Sequence, residues 1–201
     1  MYTDAELQTI LTCKEEGGDI WNNDSITDIK RKIKDYYLTN NNHECCYCRK
    51  NFYGEFAMVI DIEHILPKKK YPDYMFEPEN LNVACKRCNM NIKRDNTDFI
   101  VNISTVIPDY KISSKYHFIH PNFDNYFEHM DYFVIIKNNK KIVKYTPLSA
   151  KGKYTYDYFL LQKLEIDYLN YAQGVEYNRT DLSEHIPDNI KEDLQFFLDD
   201  I

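Results

Sequence analysis

Residues 44–95 read ECCYCRKNFYGEFAMVIDIEHILPKKKYPDYMFEPENLNVACKRCNMNIKRD, and this run decides the fold. It opens and nearly closes on Cys-x-x-Cys pairs, Cys45/Cys48 and Cys85/Cys88, with 36 residues between them. Four thiolates from two such pairs make a closed tetrahedral zinc site. A simple zinc ribbon has a gap of about 15–20 residues, so the longer insert must carry folded structure of its own. A redox motif in one pair is the competing reading, and two matched pairs favour zinc. Cys46 lies between the first two ligands and reads as a bystander. A RING-type interaction module would need further ligands, and His43 is the one extra candidate nearby.

Inside the insert, Phe56–Ile62 reads as a strand that Pro67 ends at the latest. Leu81–Ala84 is a short apolar stretch leading into the second pair, and the residues from Asn89 onward can begin a helix. The chemistry-bearing residues are Asp61, Glu63, His64 and Asn89. Near pH 7 a neutral imidazole can take a proton from attacking water. A hard cation on oxygen ligands, Mg²⁺ or Mn²⁺, can stabilise phosphate charge. His64 supplies the base, and Glu63 with the Asn89 amide oxygen supplies the ligands. Asp61 is either a second acidic ligand or a structural cap on the strand, the structural role being favoured. Lys68-Lys69-Lys70, Lys86-Arg87 and Lys93-Arg94 surround these residues. Any one of these lysines reads first as solvated surface, but three clusters around one site favour contact with a nucleic-acid backbone.

Taken together, Cys-x-x-Cys, Glu63-His64-Ile65 with Pro67 nearby, Asn80-Leu81, and Cys85-x-x-Cys88-Asn89 followed by Lys93 resemble the HNH endonuclease family over about residues 43–96. The resemblance implies a ββα-metal core of a hairpin, a metal and one helix. It makes His64 the general base, Glu63 the metal-ligand acid, Asn80 the residue that orients the base, and Asn89 a metal ligand. Two departures stand out: Glu at 63 where Asp is commoner, and Asn at 89 where His is commoner. More loosely, His120-Pro121-Asn122-Phe123-Asp124 and the segment after it resemble the C-terminal half of HNH subunits from retron- and Septu-type anti-phage systems. That implies an ATPase partner. His117, His120 and His129 read as structural.

Outward from the insert, residues 1–42 read as a helical region. Thr3 or Asp4 caps a first helix, and Asp24 or Ser25 caps a second with an apolar stripe of Ile26, Ile29, Ile33 and Tyr36/Tyr37. Residues 97–201 read as a hairpin turning at Asn138-Asn139, a helix over 152–171 and a last helix over 188–198, together a candidate partner-binding region. The class expected is therefore α+β, with a 43–96 core flanked by two further regions. The chain carries a formal net charge of −7, yet residues 43–96 hold nine Lys/Arg against eight Asp/Glu. Bulk electrostatics does not favour nucleic acid, but the insert is locally more basic than the whole. No apolar run reaches the roughly 18 residues of a membrane span, and an acidic N-terminus without a basic n-region leads to a cytoplasmic expectation. An inactive zinc-stabilised nucleic-acid-binding module and an RNA-directed nuclease remain as alternatives. Oligomeric state is not legible.

Overall fold

A computed structural model describes residues 1–107, 109–137 and 140–166. The first helix, α1 (Asp4–Glu16), starts on a full capping box: Thr3 Oγ1 accepts from the Glu6 amide, and the Glu6 carboxylate accepts from the Thr3 amide. The second, α2 (Thr27–Asn40), is entered through a 3₁₀ turn at Asp24–Ile26. Asn23 caps that turn rather than Asp24 or Ser25, its Oδ1 accepting from the Ser25 amide. The expected stripe of α2 is its inner face, with Ile29, Ile33 and Tyr37 buried against the hairpin that follows. The Tyr37 hydroxyl donates to the Pro78 carbonyl and ties the helix end down.

The insert between the cysteine pairs is an antiparallel hairpin, β1 (Ile60–His64) and β2 (Leu81–Cys85), followed by a π-helix at Arg87–Lys93. The register runs from Ile60 opposite Cys85 to His64 opposite Leu81. This strand lies later than the expected Phe56–Ile62, because Ala57–Val59 is a 3₁₀ turn. Phe56 and Met58 are 68% and 74% exposed, so their apolarity marks no buried strand. The core expected of a ββα-metal fold is present, with the helix wound in the π form.

Beyond it come the short helices α3 (Ile103–Val106) and α4 (Tyr126–His129), then β3 (Met130–Lys137) paired with β4 (Lys140–Pro147), then α5 (Ala150–Tyr158). The second hairpin falls where the sequence placed it. The helix after it is shorter than 152–171: Leu160 takes a left-handed φ of 50° and breaks the ladder at Tyr158. The helix expected over 188–198 lies outside the described residues. Gly152 is required by packing, since a Cβ there would sit 1.8 Å from the His129 carbonyl oxygen.

One buried cluster runs through all three regions. The loop at residues 45–50 is gripped from the C-terminal side. Tyr145 donates to the Cys48 carbonyl at 2.6 Å, Tyr126 to the Tyr47 carbonyl at 3.3 Å, and Phe159 stacks on Tyr47 with ring centroids 4.2 Å apart. No described helix is long and apolar enough to cross a membrane.

Candidate active site

The four sulfurs of Cys45, Cys48, Cys85 and Cys88 lie within 4.8 Å of one another, all buried and none in a disulfide. Cys48 Sγ and Cys85 Sγ are 3.8 Å apart. A tetrahedron with zinc–sulfur bonds of about 2.3 Å has edges of about 3.8 Å, so the donor set fits the ion. The loop is shaped for it: Cys45 and Lys50 are joined main chain to main chain, and Arg49 takes a φ of 55° to close the turn. The Cys85 amide lies 3.4 Å from Cys45 Sγ, a donor that favours thiolate. Cys46 is not one of the four; it is buried beside Cys45, its amide bonded to the Val83 carbonyl.

A cleft of roughly 840 Å³ opens beside β1, and His64, Asp61, Asn89, Lys68, Lys69, Lys86 and Arg94 line it. His64 Nε2 is 3.1 Å from the Met75 carbonyl oxygen. A carbonyl only accepts, so Nε2 carries the proton and Nδ1 keeps the lone pair. Burial, then the charges of Lys68 and Lys93, push the imidazole down to about 3, so it is neutral at pH 7. Asn80 does not touch His64. Its amide accepts from the Leu66 N–H at 2.6 Å and donates to the Leu66 and Tyr74 carbonyls, closing the loop that delivers the Met75 carbonyl to the ring.

The structure places two of the expected site residues away from the cleft. Glu63, expected to hold the catalytic ion, is fully buried and does not line the cleft. Lys93, expected to meet phosphate, is also fully buried, with its ammonium 2.6 Å from Glu63 Oε1 and 2.7 Å from the His64 carbonyl oxygen. Glu63 sits on the inner side of β1 while His64 reaches the cleft. Burial pushes the Glu63 carboxyl up, while Lys93 and the Tyr47 hydroxyl at 3.1 Å pull it back. Replacing Lys93 with Met should therefore destabilise the fold by about 3–5 kcal/mol, because Glu63 would be left buried without its cation. Adding Glu63→Gln should recover most of the loss. An unchanged urea midpoint for Lys93→Met would contradict the pairing.

Asp61, the acid for which a structural role was favoured, stands on the cleft. Its carboxylate accepts from Lys86 and from Asn89 Nδ2, each at 3.1 Å. With Asn89 Nδ2 so engaged, the Asn89 amide oxygen is left for another group, and the pair offers the hard oxygen donors that Mg²⁺ or Mn²⁺ takes. Arg87 turns from the cleft to the Leu160 carbonyl, and Lys70 donates to Thr97. Trp21, Lys30 and Lys34 line the cleft and were not expected there. The i, i+4 spacing of the two lysines was the available signal.

His120 lies away from the cleft, stacked on Phe123 at 4.2 Å, and burial pushes it down to about 3 as well. Both buried imidazoles are neutral when folded and take a proton when unfolded. The stability they contribute is full above pH 6.5 and is lost as pH falls from 6.5 towards 3. Each should cost on the order of 2 kcal/mol by pH 5. A urea midpoint that does not move between pH 7 and pH 5 would contradict this.

A family model described as HNH endonuclease matches residues 45–95. Septu protein PtuB of Bacillus thuringiensis is 33% identical over 75 residues, covering 37% of this chain and 26% of that protein. Protein ea31 of Escherichia phage lambda is 29% identical over 72 residues, covering 34% of this chain and 23% of that protein. The matched stretch thus spans about a quarter of the length of these curated relatives. No solved structure matches. The hairpin, the helix and the four-cysteine cluster coincide with the matched segment, and residues 45–95 of this chain are similar to HNH endonuclease domains.

Proposed function

We propose that the chain is a divalent-cation-dependent endonuclease that hydrolyses DNA phosphodiester bonds, with zinc in the four-cysteine site as a structural ion. The observation that carries this is the fixed tautomer of His64: Nε2 is held by the Met75 carbonyl, and Nδ1 is free in a cation-lined cleft beside Asp61 and Asn89. His64 Nδ1 takes the proton of a water attacking phosphorus as the bond to the leaving oxygen breaks. Asp61 and Asn89 hold a Mg²⁺ or Mn²⁺ ion, which when bound supplies charge stabilisation at the phosphate and the leaving oxygen. Asn80 is a positioning residue acting through the 65–75 loop. Lys68, Lys69, Lys86 and Arg94 meet backbone phosphates. Likeness to a Septu protein supports a place as the nuclease of an anti-phage defence system, working with an ATPase partner.

The ligand assignment is tested by titrating Mg²⁺ and Mn²⁺ in a plasmid cleavage assay. Asp61→Asn and Asn89→Ala should need at least about tenfold more cation for half-maximal rate, the loss expected when an oxygen ligand is removed or its surroundings disturbed, and excess cation should restore much of the rate. Glu63→Gln should leave the cation requirement near that of the parent chain. If Glu63→Gln shifts the requirement and Asp61→Asn does not, the ligand is Glu63, as the family resemblance implies. RNA run in parallel separates a DNA from an RNA target.

A further inference from the structure

The cleft has a second wall that does not belong to the HNH domain. The matched segment begins at residue 45, whereas Trp21, Lys30, Arg31 and Lys34 reach the cleft from the 3₁₀ turn at Ile20–Asn22 and from α2. On the domain side, Lys68, Lys69, Lys86 and Arg94 face Asp61 and Asp95, a net of +2. On the α2 side, Lys30, Arg31 and Lys34 face Asp35, again +2. A chain with a formal net charge of −7 thus concentrates +4 around one cleft, half of it from outside the domain.

Lys30 and Lys34 are held in place without being neutralised, whereas Arg31 pairs with Asp28 at 3.0 Å. Lys30 donates to the Trp21 carbonyl at 3.0 Å and Lys34 to the Ala57 carbonyl at 2.9 Å. Among the described residues neither meets a carboxylate at ion-pair distance. As an i, i+4 pair they leave one helix face together, with Cβ atoms about 6 Å apart. Trp21, the sole tryptophan, sits edge-on to His64 with ring centroids 4.4 Å apart, and the ammonium groups of Lys30 and Lys68, one from each wall, lie 5.8 and 5.9 Å from its ring centre. Trp21 thus joins the two walls over the catalytic imidazole.

We propose that α2 and Trp21 form a phosphate-binding wall, so that a DNA strand is held between α2 and the HNH domain with its backbone against Lys30 and Lys34. This rests on the nuclease reading above and adds the part of the site that lies outside residues 45–95. Binding is read apart from cleavage, on the full chain carrying His64→Ala, with a fluorescein-labelled duplex DNA and no added divalent cation, over about 50–200 mM salt. Lys30→Ala/Lys34→Ala should weaken binding at least about tenfold and reduce the slope of log affinity against log salt by about 2, one for each lost phosphate contact. Lys30→Arg/Lys34→Arg should keep both near the parent values, which a packing defect would not do. Bound DNA should quench Trp21 emission. An unchanged slope in the alanine pair overturns the proposal, as does an equal loss in the remote Lys153→Ala. A parent chain that binds no duplex overturns it too. If the alanine pair leaves the slope unchanged while the intact chain still cuts DNA through His64, the wall fails and the nuclease stands.

Discussion

His64→Ala should cut DNA about 10²–10⁴-fold more slowly than the intact chain, the usual cost of losing a general base. Zinc content, fold and affinity for DNA should be unchanged, since the ring makes one hydrogen bond, to the Met75 carbonyl, and forms no part of the cysteine cluster. Added Mg²⁺ or Mn²⁺ should not rescue it, in contrast to Asp61→Asn and Asn89→Ala, where the defect is in holding the ion. Tyr74, Leu66 and Asn80 fix the loop that carries Met75. Asn80→Ala should therefore show a milder loss of rate with an altered pH profile, because the tautomer of His64 is no longer enforced. Near-normal cleavage by His64→Ala, with contaminating nuclease excluded, would remove the imidazole from the mechanism.

Loss of zinc should be the largest structural perturbation available. The four sulfurs join three pieces of chain: the 45–50 loop, the end of β2 and the start of the π-helix. Tyr145, Tyr126 and Phe159 pack onto the same loop from the C-terminal side. Zinc-finger peptides gain about 10–16 kcal/mol from the ion. This chain has a larger core, so a smaller share is expected, still several kcal/mol and enough to abolish a cooperative thermal transition in Cys88→Ala. Metal analysis of the intact protein should return about one zinc per chain. A cooperatively folded protein without zinc, or one with Cys45 disulfide-bonded to Cys48, would contradict the site.

The four-cysteine cluster was legible because four cysteines at fixed offsets admit few arrangements. The hairpin at 130–147 was legible because two runs rich in β-branched and aromatic residues flank a turn dipeptide. Glu63 and Lys93 were harder to place. Each sits in a motif position, and a motif records which residue is present, not the side of the strand or helix it takes. Glu63 faces inward while His64 reaches the cleft, and the π-wound segment 87–93 brings Lys93 inward to meet it. The position of Asp61 was hidden for the complementary reason: its partner Asn89 is 28 residues away and joins it only when β2 returns beside β1. The contribution of α2 was hidden in the same way. Its apolar stripe predicts the buried face, but what its polar face looks onto depends on the hairpin it packs against.

The most direct test of the account is plasmid cleavage by the zinc-loaded full chain, with Mg²⁺, with Mn²⁺ and with neither. The account predicts cutting that requires the added cation and is lost in His64→Ala. No cleavage under any of these conditions by a folded, zinc-bound protein, or cleavage that proceeds equally without His64, would contradict it.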